Sequence, residues 1–418
     1  MAKRALILVL VLVALAGCAP PARRPARPPV PPPVGVKPLP PLVRLPADKI
    51  PFFADDMDLV SLEAAMDKSL DYYSRAAGSG PRRMDDSFVT VRELRESLLA
   101  LREILRCDES DGAKQERIRE AFDVYQSTGL DGKNTVLFTG YFEPIMNGSP
   151  VRTERYRYPV YRAPDDAVVV NLGRFAEKYQ HEMLVGRVKN GELVSYYSRG
   201  EIEELGTLAN RNLEIAWVDD RIGLFFLHTQ GSGKIRLPDG RLLQIGYALK
   251  NGRPFKSLSR FLVDTGRISP KEISYQSIKR YLREHPEELS EILGHNESFI
   301  FFREVTEGPV GSLGAVLTAG RSIATDAAVF PRGALAFMRA RKPKLDRNGN
   351  AESWTPFSRF VISQDAGGMI KGPGRVDLFC GSGEDAEMLA GSLTERGELY
   401  FLVKKRANGH PATGPDRP

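Results

Sequence analysis

The chain has 418 residues, of which 42% are hydrophobic, enough for a packed core and against a disordered chain. That length suits two domains of ordinary size, or one with a large insertion. The net charge is +6, and much of it lies in a basic tether and tail. The export signal at the N-terminus argues against a nucleic-acid partner, and an anionic partner in the cell envelope fits better.

The first stretch is MAKRALILVLVLVALAGCAP. Lys3 and Arg4 precede an apolar run from Ala5 to Ala16, too short to span a bilayer comfortably, so residues 1–18 read as a signal peptide. Leu15, Ala16, Gly17 and Cys18 resemble a bacterial lipobox. The resemblance implies lipid on Cys18. With Ala19 next, it also implies sorting to the periplasmic face of a Gram-negative outer membrane. Several acyl chains give stable anchoring. The other reading is an ordinary secretory signal with an incidental cysteine. Residues 19–47 are proline-dense and read as an extended tether.

The body then opens with helices. Leu59, Leu62, Met66, Leu70 and Tyr73 recur at three- and four-residue spacing. Val91, Leu94, Leu98, Leu101 and Leu105 repeat the pattern behind Thr90, a candidate N-cap. AKQERIREAFDVYQS adds Ile118, Ala121, Phe122 and Tyr125 as a third helix. NTVLFTGYFEPIM starts a β-rich region. YPVYRAP, IAWVDD and RIGLFFLHTQGSGKIRL read as strands and turns, with Pro238–Gly240 and Asn251–Gly252 as hairpin turns. SLSRFLVDTG, SYQSIKRYLREHP and ELSEILGH read as helices. From Gly311 to Lys404 strands dominate, interrupted by a helical GEDAEMLAGSL, and the polar tail reads as disordered. The profile is a mixed, mainly β architecture with N-terminal helices, an α+β class.

Few residues invite chemistry. No GxSxG occurs, and the GSG turns at 231–233 and 381–383 are weak signals. His181, His228, His285, His295 and His410 are scattered and read as structural, with no metal or cofactor expected. Cys107 and Cys380 have no CxxC partner, and nothing local supports a disulfide between them. The acids remain. Asp326, Asp365 and Asp377 all fall in the last β unit, at strand ends or within a strand. Each could be a turn or cap residue. Asp377 sits between Val376 and Leu378 and near Arg375, where desolvation would raise its pKa towards a value useful for proton donation. Thr139, Tyr141, Tyr156, Tyr158 and Tyr161 supply hydroxyls and flat rings that suit sugars, or a β core.

FTGYFEP, YPVYRAPDD, FFLHTQGSGKIRLPDG, GPVGSLGAVLTAGRSIATD and SQDAGGMIKGPGRVDLFCGSGEDAEMLAG together resemble the membrane-bound lytic murein transglycosylase A family. The likeness runs from about Leu137 to Lys404, and the C-terminal part resembles the 3D domain, named for three aspartates. It implies a double-psi β-barrel with a smaller inserted β domain and a groove between them. The expected divisions are 48–142 for the helices and first barrel strand, 143–309 for the insert, 310–405 for the catalytic barrel and 406–418 for the tail.

The resemblance places the catalytic role on Asp377, with Asp365 and Asp326 as supporting acids. Thr139, Gly140, Tyr141, Gln230, Ser232, Gly233 and Lys371 become candidates for sugar contact. The implied reaction cleaves the β-1,4 bond between N-acetylmuramic acid and N-acetylglucosamine and leaves a 1,6-anhydro end. A sugar that supplies its own C6 hydroxyl needs only one protein carboxyl. The implied partners are peptidoglycan glycan strands, the outer membrane through the lipid, and peptidoglycan synthases, with a monomeric chain. Two alternatives stand: a hydrolase using Asp365 with Asp377, and a non-catalytic peptidoglycan-binding lipoprotein.

Overall fold

The computed structural model describes residues 40–75, 82–84, 88–180, 182–346 and 351–406. The expected signal peptide, Cys18, most of the tether, His181, His410 and the tail from residue 407 lie outside these residues.

The helical spacing read from the sequence is realised in α1 (Leu59–Arg75) and α2 (Val91–Arg106). α1 buries Leu62, Ala65, Met66, Ser69 and Tyr73, and α2 buries Leu94, Ser97, Leu98, Leu101 and Ile104. Thr90 caps α2 in a capping box: its hydroxyl accepts from Glu93 N at 3.3 Å, and Glu93 accepts from Thr90 N at 2.7 Å. The third helix, α3 (Asp111–Ala121), ends earlier than expected. Phe122 and Tyr125 belong to a strand, because the aromatic and β-branched run after Ala121 is buried along nearly its whole length.

One other expectation fails at the start of the body. Leu42–Arg44, inside the expected tether, forms β1, which pairs antiparallel with β2 (Phe122–Ser127). Prolines surround this segment, but Leu42, Val43 and Arg44 keep their N–H groups, and Leu42 is fully buried. The chain then passes through β3 (Val136–Glu143) into a second lobe.

That lobe contains a six-stranded sheet of β4 (Ile145–Ser149), β5 (Tyr158–Tyr161), β6 (Glu214–Val218), β7 (Ser232–Arg236), β8 (Leu242–Lys250) and β9 (Ile300–Glu304), in the order β9-β8-β7-β4-β6-β5. Its core gathers Met146, Val160, Val218, Leu227, Ile235 and Phe302. Arg221–Gln230, expected as strand, is helix α4. Its apolar run has no clean period because the helix is buried on most sides, and a short apolar run cannot be assigned from periodicity alone. Asp220 caps its start, and Gly231 ends it at φ 81°. Pro238–Gly240 does join β7 to β8 as a hairpin. Asn251–Gly252 does not: the buried Asn251 side chain donates to Tyr197 O and Glu297 O and accepts from Phe299 N, bracing three segments. The helical expectation holds for Leu258–Asp264, Leu289–His295 and α5 (Tyr275–Glu284).

The chain returns to the first lobe through β10 (Ser322–Ala324), β11 (Leu335–Leu345), β12 (Ala351–Asp365), β13 (Arg375–Ser382), α6 (Glu384–Ser392) and β14 (Thr394–Lys404). Of the stretch GAVLTAGRSIATD, only Ser322–Ala324 is strand. The sheet runs β14-β11-β12-β10-β13-β3, and β3 pairs back onto β14, which closes six strands into a barrel. β13–β3 and β12–β10 are parallel, and the other barrel pairs are antiparallel. Phe138, Phe337, Phe360, Val376 and Phe401 fill one core with the inner faces of α1 and α2. Cys107 and Cys380 are both free.

One buried cation fastens the N-terminal segment to the barrel. Arg321 has no exposed side-chain surface and donates to Asp55 Oδ2 at 2.6 Å, Phe360 O at 2.8 Å, Asp58 O at 2.8 Å and Ser61 Oγ at 3.0 Å. Removing one partner of a buried pair leaves an uncompensated charge. Asp55→Ala is expected to lower unfolding free energy by about 3 kcal/mol in a denaturant titration. A loss below about 1 kcal/mol, the scale of an exposed pair, would contradict this anchoring role.

Candidate active site

The parallel pairing of β13 with β3 places Asp377 opposite Thr139 and Phe379 opposite Tyr141. On its other side Asp377 pairs with Ala324 of β10. The carboxyl is therefore held in the barrel wall between two strands. Its side chain keeps 20% exposure, so it is enclosed yet reachable. The Thr139 hydroxyl donates to Oδ1, and among the described residues no donor reaches Oδ2.

Desolvation dominates the acidity of Asp377. Burial raises its pKa, Arg375 opposes the rise, and the charge of Asp365 adds to it, bringing the value to about 7. Arg375 Nε stands 4.0 Å from Oδ1, too far for a hydrogen bond. An acid of this pKa holds its proton near neutrality and can also release it.

Asp365, the last residue of β12, is arranged differently. Oδ1 accepts from Ser312 N and Ala366 N, both at 2.8 Å, and Oδ2 accepts from the Tyr141 hydroxyl at 3.0 Å. Burial raises its pKa, while these donors lower it. Both oxygens are committed to fixing the loop and Tyr141. Asp326 is a loop residue too: Oδ1 accepts from Ala328 N at 3.0 Å and Oδ2 from Gly372 N at 2.8 Å. Gly372 has φ 75°, so Asp326 pins the turn that leads into β13. Among the described residues, no cluster of three or more His, Cys, Asp or Glu could hold a metal ion.

Residues 137–303 match the family described as MltA specific insert domain, and residues 321–403 match the 3D domain. Membrane-bound lytic murein transglycosylase A of Escherichia coli K12 is 31% identical over 295 residues, covering 70% of this chain and 72% of the relative.

The chain belongs to the membrane-bound lytic murein transglycosylase A family.

Its fold is similar to that of a membrane-bound lytic murein transglycosylase from Agrobacterium tumefaciens, with TM-score 0.71 and 29% identity over 87% of this chain and 97% of that one. The structure of E. coli MltA with bound chitohexaose shares the fold at TM-score 0.68 and 24% identity, covering 88% of this chain and 95% of that one. The barrel is thus the double-psi β-barrel of an enzyme family, accompanied by its second domain. No helix of the described residues is long and apolar enough to cross a membrane.

The remaining expected residues separate by position. A Cβ on Gly140 would meet Ala390 Cα at 2.6 Å, so Gly140 lets α6 lie close on β3. A Cβ on Gly233 would meet Leu227 Cδ1 at 2.4 Å, which makes Gly233 a packing position. Gln230 accepts from Phe142 N at 3.2 Å, where the second lobe meets β3, and half-buried Ser232 follows at the start of β7. Lys371 is exposed on the glycine-rich loop. Of the tyrosines, Tyr161 is core, whereas Tyr156 and Tyr158 lie under Arg155 and Arg157.

One member of the family's FTGYFEP block was not assigned a role from sequence. Glu143 is fully buried, accepts from Ser382 Oγ at 2.5 Å and from Gln244, and pairs with Lys234 Nζ at 3.1 Å. It joins the end of barrel strand β13 to β7 and β8 of the second lobe. The available signal was an acid ending an apolar strand directly before proline.

The raised pKa of Asp377 makes a stability prediction. The folded state binds its proton more tightly than the unfolded chain, so this contribution is complete at low pH and is lost as pH rises from about 4 to about 7. Asp377→Asn escapes that loss. Its stability relative to wild type is expected to grow over this window by up to about 4 kcal/mol and then level off. Melting curves of both proteins from pH 4 to 8.5 test it, and a constant difference would contradict the raised pKa.

Proposed function

We propose that this chain is a lytic transglycosylase that cleaves the β-1,4 bond between N-acetylmuramic acid and N-acetylglucosamine, with Asp377 as its single acid and then base. The observation that carries this reading is the inequality of two neighbouring carboxyls. Among the described residues no donor reaches one oxygen of Asp377, which has partial exposure and a pKa of about 7. Asp365 has both oxygens occupied.

The reaction then balances within the sugar. Asp377 gives its proton to the glycosidic oxygen as the bond to the anomeric carbon breaks. The C6 hydroxyl oxygen of the muramyl residue bonds to that carbon and gives its proton to the Asp377 carboxylate. A 1,6-anhydro ring forms, the acid is restored, and no water is consumed. A two-carboxylate hydrolase would need a second carboxyl free to act as nucleophile or base, and the occupied oxygens of Asp365 do not suit that role.

Thr139 orients the carboxyl, Asp365 and Tyr141 hold the wall beside it, and Asp326 holds the loop. Gln230, Ser232 and Lys371 are the candidates to meet the glycan along the groove, with Gly140 and Gly233 permitting the close packing behind it. Cys18 carries the lipid, which holds the enzyme at the periplasmic face of the outer membrane; the membrane-bound relatives support attachment to a membrane. Peptidoglycan synthases are a candidate class of partner, and the chain acts as a monomer.

Digestion of purified sacculi followed by mass spectrometry tests the reaction. Wild-type enzyme is expected to release anhydro-muropeptides, and Asp377→Asn to lose at least about 100-fold of that rate. Products heavier by one water, or full activity in Asp377→Asn, would refute it.

A further inference from the structure

Arg375 is a charged group whose placement the reaction above does not yet use. It opens β13 two residues before Asp377, so the two side chains share one face of the strand. Its Nε is buried and, among the described residues, has no hydrogen-bond partner, while the side chain as a whole keeps 35% exposure. The nearest acid is Asp377, 4.0 Å away. A buried donor left unpaired is destabilising. Such a donor beside a carboxyl that must alternate between neutral and charged has an obvious occasional partner.

Resting on the acid-then-base reading of Asp377, we propose that Arg375 is a positioning residue that engages Asp377 only in its ionised state. The stand-off is what makes this useful. A direct guanidinium–carboxylate hydrogen bond would hold Asp377 ionised and leave no acid at neutral pH. With no cation at all, the carboxylate left after protonation of the glycosidic oxygen would be desolvated and unpaired. A movement of about 1 Å brings Nε–H onto Oδ1. When the C6 hydroxyl proton arrives on Oδ2, the anion disappears and the guanidinium withdraws.

Other groups around Asp377 do not supply this function. Thr139 donates to Oδ1 in either state but carries no charge. Asp365 is an acid, and its charge opposes ionisation of Asp377. The Tyr141 hydroxyl is committed to Asp365. Burial pushes the Cys380 thiol up to about 12, so it stays neutral. β10 contributes only Ser322, Ile323 and Ala324.

The test is the pH dependence of kcat and KM for R375Q and R375K on isolated glycan strands, with wild type and Asp377→Asn alongside. The alkaline limb of kcat/KM reports loss of the acid's proton. Arg375 favours the carboxylate, so R375Q is expected to move that limb upward by about one pH unit. It is also expected to lower kcat about tenfold with little change in KM. R375K keeps the charge, and its limb should stay within a few tenths of a unit of wild type. If R375Q melts below the assay temperature, the same profiles are taken on R375L and R375M. An unmoved limb in the charge-removing variants, or a rise in KM with kcat intact, would overturn the proposal. An active Asp377→Asn would instead overturn the reading on which it rests.

Discussion

The parallel register between β3 and β13 is the constraint on which the site depends. It sets Thr139 beside Asp377 and Tyr141 beside Phe379, and carries the row on to Glu143 beside Ser382. Side chains at alternate positions of a strand share a face. One face of β3 therefore supplies a hydroxyl to the central acid, a phenol to its neighbour and a carboxylate to the lobe junction. A slip of one residue would turn all three away together. The same pairing helps close the barrel, so the wall that enclosed the core also enclosed the acid.

Enclosure decides the electrostatics. Surrounded by barrel strands, Asp377 is desolvated strongly enough that a guanidinium 4.0 Å away does not restore ordinary acidity. Asp365, also desolvated, is stabilised by two backbone N–H groups and a tyrosine. Two carboxyls in one site thus have different environments, a general route to different roles. The second lobe is fastened to the barrel by Glu143, Lys234, Gln244 and Ser382, so its orientation beside the acid is set by buried polar contacts.

Much of the fold was legible in the sequence. The helical period of α1 and α2 and the Thr90 cap survive in the structure because each helix buries one face only. α4 was misread because it is buried on most sides, which erases that period. β1 was hidden among prolines, since composition describes a segment and one fully buried Leu42 decides its fate. Within the site, Asp377 stood out as an acid in an apolar strand. The supporting role of Asp365 was also expected, but the donors that hold Asp365 and Asp326 were not, because the tertiary fold brings in the N–H groups of Ser312 and Gly372. Glycines 140 and 233 were expected at the sugar from the resemblance, and the close approaches behind them emerge only in the tertiary fold.

The central claim is that the barrel wall holds one carboxyl near neutrality while its neighbour serves the structure. Carboxyl carbon NMR of aspartate-labelled protein, titrated from pH 3 to 9 and assigned with Asp377→Asn, measures this directly. The account predicts that one resonance titrates at about 7 and vanishes in the variant. A signal for Asp377 that titrates near 4, as an exposed aspartate does, would contradict it.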